Sequence, residues 1–203
     1  MQNNLEVVDS IGMRFVLTYS GALPPNGSPA EKHAIRRALL PQLRKQWDIE
    51  PILGALRENG VAGAPAPIEA IAARFTKGGF RFVPLVLRQF DLVCYLDMTL
   101  LRNEAPGAII QPGGDIDNRL KTLFDSLSVP PNMNQMAGLA PAGDENPFYC
   151  LLEDDSLVTG FQIKTERLLE IPRNPNDVRL SMAITVRPTR VLINNLGFLG
   201  GWL

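Results

Sequence analysis

The chain has 203 residues, 45% of them hydrophobic, and its 20 Lys and Arg against 21 Asp and Glu leave a formal charge of -1. Such a length suits one generous domain or two small ones, and the charge balance offers no bulk basic surface, so a nucleic-acid role has to rest on local clusters. One His and two Cys rule against a Cys-based structural zinc site, which needs four ligands, and leave triad-type catalysis only His33, which nothing ties to a nucleophile.

The opening "MQNNLEVVDSIG" has no basic region leading into an apolar one, so no secretion signal is expected. No uncharged apolar run approaches the ~20 residues that span a bilayer. No membrane partner is therefore expected, and Cys94, in an apolar stretch, reads as a reduced core residue of a cytoplasmic protein.

"MRFVLTYS" (13–20) is predicted as a first strand, closed by the loop "GALPPNGSP". A helix follows in "PAEKHAIRRALLPQLRKQWD", with Ile35, Leu39, Leu43 and Trp47 as its apolar stripe. Pro41 is expected to kink or split it. His33, Arg37 and Arg44 share a face away from most of that stripe, flanked by Arg36 and Lys45. A solvated helix face is the plain reading; a strip for a nucleic-acid backbone is the sharper one.

"EPILGALREN" reads as a short helix closed by Gly60, and "GVAGAPAPIEAIAARFTKGG" as a small-residue loop with another. "FRFVPLV" (80–86) and "FDLVCYLDMTLLR" (90–102) are β-branched and aromatic and read as paired strands. After the loop "NEAPGAIIQPGG", a helix running to about Leu127 packs through Ile116, Leu120, Leu123, Phe124 and Leu127. "SVPPNMNQMAGLAPAGDENP" is long for a connector and reads as a functional or poorly ordered loop. Strand character flanks Glu153–Asp155, and "DVRLSMAITVRP" is a final strand with a short tail after Pro188. The expected fold is one α+β domain in which helices pack a mixed sheet.

The chemistry is concentrated in "GGDIDNRLKTLFDSL". Asp115 and Asp117 flank Ile116, and Lys121 lies one turn beyond Asp117 on the same side. One Asp is explained by capping and by the helix dipole, and Asp117 with Lys121 by an ordinary helix ion pair. Two crowded carboxylates repel unless a cation neutralises them. A calcium loop of the EF-hand type fails, because its third ligand position falls on Arg119. With "EDD" at 153–155 returning beside the helix, an all-oxygen shell suits Mg²⁺ or Mn²⁺, which activates water and stabilises a leaving oxygen in phosphodiester cleavage. Lys121 then suits a substrate phosphate.

"DIDNRLKTLFDSL" followed downstream by "EDDSLV" resembles the signature of the RusA family of Holliday-junction resolvases, over about residues 91–187. Ser128 to Leu152 stands as an insertion relative to the family's short connector. The resemblance implies a RusA-like fold and a homodimeric, magnesium-dependent endodeoxyribonuclease of branched DNA, as in recombination, repair or prophage processing. It implies Asp115, Asp117 and Asp155 as metal ligands and Lys121 as the catalytic cation. Asn118 and Asp154 would orient the ligands, and Arg119, Arg36, Arg37, Arg44 and Lys45 are candidate DNA contacts. The alternative is a RusA-like scaffold that binds DNA or protein with little or no catalysis, as the near-neutral charge and the insertion would suit.

Overall fold

A computed structural model describes residues 12–58, 66–103, 116–136 and 138–199. They form a single α+β domain with mixed sheets. Strand β1 (Met13–Ala22) leads to α1 (Pro29–Ile49), α2 (Pro51–Glu58) and α3 (Pro67–Arg74). Next come β2 (Thr76–Lys77), β3 (Phe80–Val86), β4 (Leu92–Arg102) and α4 (Ile116–Leu127). Strands β5 (Phe148–Leu152), β6 (Val158–Arg167) and β7 (Asp177–Pro188) complete the order.

One sheet runs β1-β7-β4-β6 and the other β2-β3-β5. β7 pairs antiparallel with both β1 and β4, whereas β4 and β6 are parallel, as are β3 and β5. The strands at 80–86 and 90–102 are therefore both present but do not pair with each other, contrary to expectation. Their burial explains it. β3 is buried at nearly every position, the pattern of a strand covered on both faces, while β4 alternates and belongs to a sheet with one open face. Between them a 3₁₀ turn at Arg88–Phe90 ends on Asp91 in the left-handed region (φ 52°), sending the chain from one sheet to the other.

α1 starts with Ser28 as N-cap, reciprocated by Glu31, with Pro29 in its first turn. It continues as one helix through Pro41, where a kink or a split was expected, so the split does not occur. Ile35, Leu39, Leu43 and Trp47 are all buried, as the spacing predicts. Two faces of α1 are nonetheless covered. His33 is fully buried between the rings of Phe80 (5.0 Å between centroids) and Phe148 (5.5 Å). At the edge of the first sheet, the Gln42 amide sits against β1: its Oε1 accepts from the Thr18 N–H (2.9 Å) and its Nε2 donates to the Thr18 carbonyl (2.7 Å).

The segment expected to be an insertion is tied down. Glu145 accepts from Arg37 (2.9 Å) and from the Ala142 amide (2.8 Å), and Arg44 donates to the Asp144 carbonyl. Its last residues form β5, every one buried in the second sheet. The tail after Pro188 also docks, through a 3₁₀ stretch at Ile193–Leu199 that buries Asn195 and sets the Phe198 ring 5.8 Å from that of Phe90 at a tilt of 33°. Cys94 and Cys150 are free, buried thiols, as read for Cys94.

Candidate active site

Two segments carry the acidic motif. The first is the start of α4, held to the loop after β1 by several bonds. Arg119 is buried and donates to the Leu23 carbonyl, and the Gly27 amide donates to Thr122 Oγ1 (2.8 Å). The Asn118 carbonyl accepts from the Asn26 amide (3.5 Å). Leu123 and Leu127 are buried, and Ile116, Leu120 and Phe124 pack on the same core, as the stripe predicts. This leaves Asp117 and Lys121 exposed. Asp117 Oδ1 accepts from the Asn118 amide (2.8 Å), and no ion pair joins it to Lys121, so the simple helix pair considered from the sequence is not formed. Asp115 lies outside the described residues.

The second segment follows β5. The Glu153 amide donates to the Val86 carbonyl (3.0 Å), and its side chain accepts from the Arg88 amide (2.9 Å) and pairs with Arg74 (3.6 Å). Asp154 caps the 3₁₀ turn at Asp155–Leu157, accepting from the Ser156 amide (3.0 Å) and from Arg88 (3.0 Å). The Ser156 hydroxyl and amide, with the Arg88 charge, hold the Asp154 carboxyl below its ordinary pKa. Asp154 thus shapes the turn that presents Asp155. The Asp155 side chain is exposed and has no hydrogen bond or ion pair among the described residues.

α4 packs against the 155–157 turn, and Phe124 meets Phe161 of β6 edge to face at 5.4 Å. Residues of α4 and of the 153–155 segment also share a cleft of about 420 Å³. Asp155 lines it together with Asp125, Glu153, Arg88, Lys77 and Arg36. The carboxylate of α4 that shares the cleft is thus Asp125, about 12 Å along the helix axis from Asp117 at 1.5 Å per residue. Asp117 does not line the cleft, and among the described residues no three His, Cys, Asp or Glu side chains form a ready metal cage. The cleft residues Asp125, Arg88 and Lys77 were missed as site residues. Asp125 stands inside the quoted motif but reads there as an extension of the helix ion pair.

The proposed DNA-contact residues are mostly engaged within the molecule. Arg36 is buried, its Nε donating to the Ser128 carbonyl (3.2 Å) and its NH2 to the Asp125 carbonyl. Burial lowers its pKa to about 10. Arg37 and Arg44 hold the 140–145 segment, and Arg119 is interior. Lys45 is exposed and unpaired among the described residues.

Asp117 and Asp155 are exposed carboxylates of the type hard divalent cations take, and neither forms an ion pair among the described residues. No helix among the described residues is long and apolar enough to cross a membrane. No family model, no curated protein and no solved structure matches the chain.

Proposed function

We propose that the chain is a metal-dependent endodeoxyribonuclease of the RusA type that cuts branched DNA such as four-way junctions and acts as a homodimer. The observation that carries this reading is the ordered pair of motifs in the sequence, D-x-D-N-x-x-K and then E-D-D, of which Asp117 to Lys121 lie on α4 and Asp155 opens the turn that packs against that helix. Asp115, Asp117 and Asp155 would hold Mg²⁺ or Mn²⁺, and Asn118 would orient a liganding carboxylate. Bound there, the cation would supply positive charge for the scissile phosphate and acidify an attacking water. Lys121, unpaired one turn beyond Asp117, would place its ammonium against the phosphate as negative charge develops. Asp154 would keep the 155–157 turn in shape, and the α4 anchors at Leu23 and Gly27 would fix the first turn of the helix.

Purified protein with Mg²⁺ or Mn²⁺ is expected to cut four-way junctions, flaps or forks. Asp117→Asn and Asp155→Asn are each expected to abolish cutting while retaining DNA binding. Failure to cut any of these substrates across a range of salt would falsify the proposal, and normal cutting by a variant would remove that residue from the site.

A second reading, a RusA-like fold that binds DNA or protein without cutting, is motivated by the near-neutral charge and the long 128–152 segment, and the internal engagement of Arg36, Arg37 and Arg44 turns it toward a protein partner. Binding across a salt series separates the two partner classes. A phosphate-dominated DNA complex weakens steeply as salt rises, whereas salt-insensitive binding without cleavage points to a protein partner.

A further inference from the structure

We infer that the cleft beside Asp155 receives one unpaired nucleobase of the DNA, an inference that rests on the nuclease reading and specifies its substrate.

The cleft, about 420 Å³, lies in the size range of small-ligand pockets. Most of its charged groups are already matched. Glu153 pairs with Arg74 (3.6 Å), Asp154 accepts from Arg88 (3.0 Å), and Asp125 pairs with Lys32 (2.7 Å). Lys77 donates to the Pro130 and Pro131 carbonyls (2.7 and 2.9 Å), and Arg36 to those of Ser128 and Asp125. A free phosphate would find the Lys77 ammonium and the Arg88 guanidinium already donating to protein oxygens, and a further cation would find most of the acids engaged. Asp155 alone among the acids is left without a partner, and the nuclease reading assigns it to the reaction.

The rest of the lining carries no charge. Phe75, Val129 and Pro131 give apolar walls, and the guanidinium of Arg74 stands over the Phe75 ring at 5.1 Å and restrains it. The Gln135 side chain is half-buried and makes no hydrogen bond among the described residues. Apolar walls with an aromatic ring and a vacant side-chain amide suit a flat, uncharged, hydrogen-bonding ligand. A nucleobase has that chemistry, and its hydrogen-bonding edge is exposed only when it is unpaired and out of the stack. Branch points and flaps supply such bases. The segment wall at Val129, Pro131 and Gln135 then selects the unpaired position beside the bond to be cut.

The test uses the full chain in EDTA, so that no cleavage intervenes. Binding is compared for a duplex carrying a single bulged 2-aminopurine and for the same duplex without the bulge. The bulged duplex is expected to bind about tenfold tighter, with a change in 2-aminopurine fluorescence on binding. Gln135→Ala and Phe75→Leu are expected to bring the preference to about twofold or less. Gln135→Ala removes only a half-exposed amide, so it decides the matter should Phe75→Leu unfold. Equal affinity for the two duplexes, or a preference that Gln135→Ala leaves intact, overturns the inference. Cutting of junctions in Mg²⁺ without any bulge preference sinks this inference alone. A bulge preference without cutting sinks the nuclease reading and leaves the nucleobase site standing.

Discussion

His33 makes the domain acid-sensitive by an amount that can be worked out. Its imidazole is fully buried between Phe80 and Phe148, and neither ring nitrogen has a hydrogen-bond partner. Burial is the main cause lowering its pKa from 6.5 to about 4, and the positive charges of Arg37 and Arg36 lower it further against the opposing pull of Glu145. The unfolded chain takes up this proton as pH falls through 6.5, but the folded protein does so only near 4, so acid favours unfolding throughout that window. At pH 8 the group contributes nothing. At pH 5 the penalty is about 2 kcal/mol, and below pH 4 it approaches about 3 kcal/mol, at about 1.4 kcal/mol per pH unit. Urea unfolding at pH 8 and pH 5 reads this directly, and about 2 kcal/mol corresponds to a midpoint shift of about 1 M. His33→Leu removes the titration and keeps an apolar side chain among the aromatic rings. The carboxylates titrate in both proteins, so the difference between their pH dependences isolates His33. The variant is expected to lose about 2 kcal/mol less than the wild type between the two pH values. Equal losses would show that the imidazole is hydrated or paired in solution and would refute the reasoning.

Three further outcomes follow from contacts. Glu145→Gln keeps the shape but not the charge of the group held by Arg37 and the Ala142 amide, and is expected to cost about 1.5–3 kcal/mol. Thermal melting reads that loss, and limited proteolysis should cut between residues 130 and 146 faster than in the wild type. Gly27→Ala places a Cβ 2.6 Å from Thr122 Cγ2 and is expected to destabilise by about 1–3 kcal/mol. Adding Thr122→Ser removes that methyl while keeping the hydroxyl that accepts from the Gly27 amide, so the double variant should melt above Gly27→Ala alone. Lys121→Met, which removes an exposed ammonium without a partner, is expected to lower junction cutting at least about tenfold with melting temperature unchanged; a stability loss without a rate loss would make the lysine structural.

The elements set by local periodicity were legible in the sequence. The stripes of α1 and α4 are buried where spacing puts them, and the alternation of β7 matches its one-sided burial. Pairing was less legible. The continuous apolar run of β3 and the alternating pattern of β4 already differ in the sequence, but adjacency in the chain argued for a hairpin that the left-handed Asp91 turn prevents. The surroundings of the basic face of α1 are hidden from the sequence for a different reason. Spacing groups Arg37 and Arg44, yet only the folded chain brings Asp144 and Glu145 back to cover them. The acidic residues at 117 and 153–155 were visible by type and spacing. That Asp125 is the acid sharing a cleft with Asp155 depends on where β5 ends beside α4, which no local pattern encodes.

The Gln42 amide acts on β1 as a one-residue substitute for a neighbouring strand. By occupying both backbone groups of Thr18, it denies the sheet margin the free donor and acceptor that invite another chain to anneal there. Replacing Gln42 with an aliphatic residue should therefore show first not as lost activity but as stickiness at high concentration, because a foreign strand would then meet an unguarded rim.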